Sequence, residues 1–272
     1  MKNGKIMDSC FFGSDTIEII EIDNLNGASS DELAKKLFFL KESNVTLKFV
    51  RILLNGGILT TESGALYYSK GNIKNKVIIG GLSGIAKKFI KNSLTKEKII
   101  HPQYTGIGEI VLEPSFSHFI LLNMNNDSYI LDKGIFYCSI GDIDVEAVIQ
   151  ENMSAALLGK DGMFQTRVSG SGVLVLKIDV PLNEIEMMVL NNEKLQVDGN
   201  FAILRSSDIS YSVEKSSKNL FKSLIGGEGL LQTFKGTGEV WLAPTAPVYR
   251  KMHLSGNIND IINEKGNMNN NE

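Results

Sequence analysis

Lysines, carboxylates, glycines and histidines are the residues of this chain best able to do chemistry, and their spacing decides what each set could do. Lys87, Lys88, Lys91, Lys96 and Lys98 form the densest basic stretch, interleaved with Phe89, Ile90 and Leu94 and accompanied by a single acid, Glu97. Such a patch would meet the phosphates of RNA or of an anionic lipid surface. The competing reading is a short surface helix with lysines outward and Phe89 inward, and it weighs more in a chain whose net charge is −3. Asp142, Asp144 and Glu146 alternate, so on a strand their carboxylates share one face and would suit a hard cation. The corresponding stretches carry Asp208, Ser210 and Ser212, and Lys70, Asn72 and Lys74, which ask only for polarity. A solvated face is therefore the expectation, and no metal site is assigned.

Glycine clusters invite a phosphate-loop reading, in which backbone N–H groups hold an anion. Gly80-Gly81-Leu82-Ser83-Gly84 and Gly226-Gly227-Glu228-Gly229 lack the Gly-Lys-Ser/Thr ending, and Gly170-Ser171-Gly172 runs into Val173 and Leu174 without a third glycine. The three histidines, His101, His118 and His253, have no partner at metal-ligand spacing. Ser115, Ser117 and His118 are close, but strand neighbours face opposite ways and no nucleophile elbow is present. The sequence thus assigns no catalytic residue and no cofactor, and the chain reads as a non-enzyme.

The elements that carry these residues repeat. Gly106-Ile107-Gly108, Gly170-Ser171-Gly172 and Gly236-Thr237-Gly238 each open an apolar run, with first glycines 64 and 66 residues apart. Glu62, Asp132 and Asp198 each precede two turn-forming residues and an apolar run, at steps of 70 and 66. Asn55, Asn125 and Asn191 stand seven residues before those acids. Three landmarks in register define β-units at 43–113, 114–179 and 180–250, expected to share one core as a single β domain over 43–250. Ser63-Gly64, Lys133-Gly134 and Gly199-Asn200 read as hairpin turns, and Gly-X-Gly as a site of sharp bending or close backbone approach. Trp241 reads as core or subunit-interface packing.

Helix is scarce. Ser29 and Glu32 form a capping box ahead of a helix with Leu33, Leu37 and Leu40 on one face. It belongs to an N-terminal extension, 1–42, that also offers the strand-like Ile17–Ile22 and lies outside the repeats. Short helical turns are expected at 85–90 and 219–224, and a polar, Asn-rich, disordered tail at 251–272. Cys10 and Cys138 read as free thiols of a reducing compartment. The N-terminal residues form no signal-peptide core, and no segment is apolar over the roughly 18 residues of a membrane span. Cytoplasm is the expected location.

From Gly226 through Gly236-Thr237-Gly238-Glu239-Val240-Trp241-Leu242, and back through Thr61–Tyr68 and Gly80-Gly81-Leu82, the chain resembles the bacterial members of the altered-inheritance-of-mitochondria protein 24 family. The resemblance covers roughly residues 45–245. It implies three tandem β-repeats similar to the subunit of the tryptophan RNA-binding attenuation protein, trimers that build a ring, and no established catalytic site. The mitochondrial association of eukaryotic members does not transfer, because the N-terminus lacks an Arg-rich, acid-poor transit pattern. The sequence reading is an all-β, self-associating, homotrimeric cytoplasmic scaffold or binding protein of unknown ligand. Its rivals are a ring-forming single-stranded RNA binder and a membrane-surface or small-molecule-binding module.

Overall fold

Alternating side chains make most of this chain strand. A computed structural model of the protein describes residues 4–79, 100–149, 164–198, 201–215 and 230–255. These residues hold twelve strands and two α-helices. The chain divides into two compact units, Met1–Ile178 and Asp179–Glu272.

In the first unit β1 (Gly4–Phe12) and β2 (Asp15–Ile22) form an antiparallel hairpin across Gly13-Ser14. β2 then pairs antiparallel with β3 (Leu47–Thr61), so the N-terminal extension is an integral part of this unit's sheet. Ile17 and Ile19 are buried in one core with Val50, Ile52 and Leu54. Alternation explains the split, because Phe49, Arg51 and Leu53 point to the opposite face of β3. The helix α1 (Asp31–Glu42) begins on Ser30, whose Oγ accepts the Leu33 N–H at 3.2 Å. The cap is therefore Ser30 and not Ser29. Leu33, Leu37 and Leu40 are half-buried on the expected face, while Phe38 and Phe39 stay exposed.

The turns at Ser63-Gly64 and Lys133-Gly134 are present, but they do not close hairpins. Glu62 accepts the Ala65 N–H at 3.4 Å and Asp132 accepts the Ile135 N–H at 3.3 Å, and Gly64 and Gly134 each have φ +80°. Positive φ at the second turn residue alone is type II geometry, which splays the flanking strands instead of pairing them. Accordingly β3 and β4 (Leu66–Ile79) lie on either side of β5 (Ile100–Leu112) and pair antiparallel with it. β6 (His118–Leu131) and β7 (Phe136–Ile149) likewise flank β8 (Phe164–Ile178). Gly199-Asn200 lies outside the described residues.

In β5 and β8 the glycine pairs sit where strands come closest. Gly108 faces Gly71, and Gly172 faces Gly141. Gly106 and Gly170 have φ +124° and +132°, and a Cβ on either would run into the carbonyl oxygen of Asn72 or Asp142 on the paired strand. Glycine is what permits that approach.

β3 changes neighbours along one edge. β2 occupies that edge up to Leu53, and after a bulge between Asn55 and Ile58 the residues Leu59–Thr61 pair with Cys138–Ile140 of β7. Asp15 fixes the bulge. Its carboxylate, 5% exposed, accepts the Asn55 N–H at 2.5 Å and the Gly57 N–H at 3.3 Å, so the amides freed by the bulge stay satisfied.

In the second unit a 3-10 turn (Leu182–Glu184) leads to β9 (Glu186–Asp198), β10 (Ala202–Ser206), β11 (Ser210–Lys215) and β12 (Leu230–Leu242). β12 pairs antiparallel with β9 on one side and with β10 and β11 on the other. Phe234 and Val240 are buried along it. Residues 251–255, expected in the tail, belong to α2 (Ala246–Ser255). Glu184 anchors that helix by accepting the hydroxyls of Thr245 at 2.5 Å and Tyr249 at 3.0 Å. The expected helical turns at 85–90 and 219–224 lie outside the described residues, as does the tail after residue 255.

Candidate interaction surface

Strand alternation and cross-strand register build one chemically distinct face on β3, β5 and β4. Along β4, Lys70, Asn72, Lys74 and Lys76 share a side, all exposed. Lys70 lies opposite Glu109 on β5, Asn72 opposite Ile107, and Lys74 opposite Thr105. Those β5 residues lie opposite Leu53, Asn55 and Ile58 of β3. Directly opposed residues point to the same face, so the lysine row borders an apolar strip. Ile107 is 63% exposed, Ile58 42% and Leu53 39%. Within the described residues β4 pairs with β5 alone.

One end of the face is closed by a polar chain. Arg51 Nε donates to Glu18 Oε2 at 2.6 Å, and the Tyr68 hydroxyl donates to Glu109 Oε1 at 2.7 Å. The bond to Glu18 raises the Arg51 pKa, and the bond to Glu109 raises that of Tyr68. Glu109 is thereby engaged by Tyr68, and Lys74 and Lys76 have Thr105 and Gln103, not acids, across from them.

The acidic row lies on β7. Asp142 and Asp144 are exposed and Glu146 is half-buried, while Ile143 and Ala147 on the other side are buried. Opposite the three acids stand Ser171, Ser169 and Arg167 of β8. Among the described residues no group of three His, Cys, Asp or Glu could hold a metal ion.

A buried polar seam runs along the junction of β3, β5 and β7. His101 is 6% exposed, with Nδ1 3.3 Å from the Thr61 carbonyl oxygen and its ring edge-on to Phe136 at 5.1 Å. Its Nε2 is buried without a hydrogen-bond partner among the described residues, and burial lowers its pKa. Burial likewise pushes the Cys138 thiol far above its ordinary range, and Cys10 and Cys138 are both free. The Ser115 hydroxyl donates to Ser117 Oγ at 3.0 Å and accepts the Ser117 N–H at 3.1 Å, a local turn. His118 begins β6, and His253 lies in α2. Beneath α1 a groove of about 450 Å³ is lined by Ile22, Leu25, Leu37, Leu40 and Val45 with polar residues between them.

Lys87, Lys88, Lys91, Lys96 and Lys98 lie outside the described residues, as do Gly226, Gly227, Glu228 and Gly229. Gly236, Gly238 and Trp241 are brought together on β12. Trp241 is 4% exposed and its indole N–H donates to Glu239 Oε2 at 3.1 Å, so its side chain is buried. A Cβ on Gly238 would strike the Ser206 side chain, whose Oγ accepts the Glu239 N–H at 2.9 Å. Sequence reasoning missed Asp15, the Glu18–Arg51 pair and the apolar strip. None of them left a local signal, because each depends on residues that only the cross-strand register brings together.

No helix among the described residues is long and apolar enough to cross a membrane. An uncharacterized protein of Streptococcus pyogenes serotype M6 is 25% identical over 198 residues, which span 70% of this chain and 78% of the relative. A crystal structure of a Streptococcus pyogenes protein superposes with a TM-score of 0.54 at 20% identity, covering 78% of this chain and 94% of that one, and so shares the fold. The sequence model of the family described as Mitochondrial biogenesis AIM24 matches residues 40–245, from the end of α1 to the start of α2, and the chain belongs to that family.

Proposed function

We propose that this chain is a non-enzymatic binding or scaffold protein that associates with copies of itself. The observation that carries the reading is the apolar strip of Leu53, Ile58 and Ile107, which unit one leaves in water beside a row of lysines. An apolar patch with a charged border is the anatomy of an interface, with burial at the centre and polar groups at the rim. Light scattering on the full chain at micromolar concentration tests it. The expected result is a discrete oligomer, a trimer in the simplest case, and a stable monomer overturns the reading.

The proposed architecture is three copies of one β-unit, 43–113, 114–179 and 180–250, similar to the attenuation-protein subunit. Its support is that Gly-X-Gly recurs with φ +124°, +132° and +135° at Gly106, Gly170 and Gly236. The proposed location is the cytoplasm, supported by two free thiols. A second reading, single-stranded RNA, draws on the same lysine row and on the exposed, edge-to-face Tyr67–Tyr68 pair, since stacked bases and neutralised phosphates are its ordinary contacts. Filter binding at low salt checks it. Retention that Lys74→Glu abolishes supports RNA, and no retention removes it.

A further inference from the structure

Resting on the self-association reading, we infer that copies meet head to tail, the basic and apolar face of β3, β5 and β4 of one copy covering the acidic row of β7 in the next. The two surfaces occupy matching places in the fold. Gly71 faces Gly108 as Gly141 faces Gly172, and Ile73 faces Gly106 as Ile143 faces Gly170. Counted from those glycines, Asn72 matches Asp142, Lys74 matches Asp144 and Lys76 matches Glu146. At the last two of these positions the charge is opposite. Alternate residues on both strands are spaced about 6.6 Å apart, so the two rows run at one pitch.

Charge also selects the symmetry. A two-fold axis passing through either row would set like charges against each other, which repel; a two-fold brings unlike rows together only by making both contacts at once. Basic face on acidic row is the combination that attracts. Made once per pair of copies, as we infer, that contact is heterologous, so it closes into a ring or extends as a filament. The flanking charges leave the complementarity in place. Lys70 is opposed by Glu109 and Glu146 by Arg167, while Arg51 is paired with Glu18, so Lys74 and Lys76 on one side and Asp142 and Asp144 on the other carry the attraction.

The test is charge reversal with rescue, read by sedimentation velocity on the full chain. Lys74→Glu with Lys76→Glu, and separately Asp142→Lys with Asp144→Lys, change only exposed side chains. Each pair should weaken association by about tenfold or more, because two weak attractions become repulsions. Mixed in equal amounts, the two variants should associate more tightly than either alone, because each then presents what the other lacks, although a ring with an odd number of copies keeps one like-charge contact; a misfolded variant could not be rescued this way. Loss from the lysine variant alone, wild-type association in both variants, or a mixture no better than its parts overturns the head-to-tail contact and leaves self-association standing. A wild-type chain that stays monomeric overturns both.

Discussion

Asp15→Ala should destabilise the first unit more than any surface change, and the cost comes from the bulge it supports. Two backbone N–H groups, Asn55 and Gly57, lose their acceptor when the carboxylate goes, and Asp15 is too buried for bulk water to replace it. Each orphaned donor costs about 1–3 kcal/mol, and since the Gly57 bond is already long the sum should be about 2–4 kcal/mol. Gly57 supplies the second arm of the argument, because a Cβ there would strike the Asp15 carboxylate. Gly57→Ala should cost about 1–3 kcal/mol through overpacking in the wild type and much less once Asp15 is alanine. The double-mutant cycle should therefore show a coupling of at least about 1 kcal/mol. Urea unfolding monitored by hydrogen exchange of residues 47–61 is the appropriate assay, since the only tryptophan, Trp241, sits in the other unit. A loss below about 0.5 kcal/mol for Asp15→Ala, or an equal cost of Gly57→Ala in both backgrounds, would refute the reasoning.

His101 makes stability depend on pH. Burial lowers its folded pKa below the ordinary 6.5, so the neutral ring is preferred in the fold. That contribution is whole above pH 6.5 and is lost as pH falls through the lower folded value. His101→Asn should flatten the wild-type decline below pH 6.5, measured as the difference in urea midpoint because Glu62, whose pKa burial raises, acts in the opposite sense. Gly170→Ala should cost about 2 kcal/mol or more, from strained φ and a clash with the Asp142 carbonyl, and a thermal midpoint within a degree or so of wild type would count against the close-approach account.

Local pattern made parts of this fold legible and left others hidden. The alternation of Asp142, Asp144 and Glu146 with Ile143 and Ala147 predicts which side is buried, because a strand has only two faces. Gly-X-Gly predicts close backbone approach, because only a missing Cβ allows it. The pairing of β3 with β5 was not legible, since a turn sequence such as Ser63-Gly64 tells where the chain bends and not which strand it meets next. Ser29 and Ser30 both offer a hydroxyl, and the Ser29–Glu32 spacing favoured the wrong one; the backbone N–H of Leu33 meets Ser30. β1 escaped notice because its side chains alternate weakly and most are exposed. Asp15 carries no local signature, as its partners stand 40 and 42 residues away. For the candidate surface, sequence showed a polar row at Lys70, Asn72 and Lys74, but the apolar strip beside it exists only once β3, β5 and β4 are in register.

Sedimentation equilibrium of the full chain, over a range of concentrations at low and high salt, tests the central claim of self-association most directly. The account predicts a species whose mass is a multiple of 29.9 kDa, weakening as salt screens the lysine and carboxylate rows. A single 29.9 kDa species at every concentration and salt would contradict it.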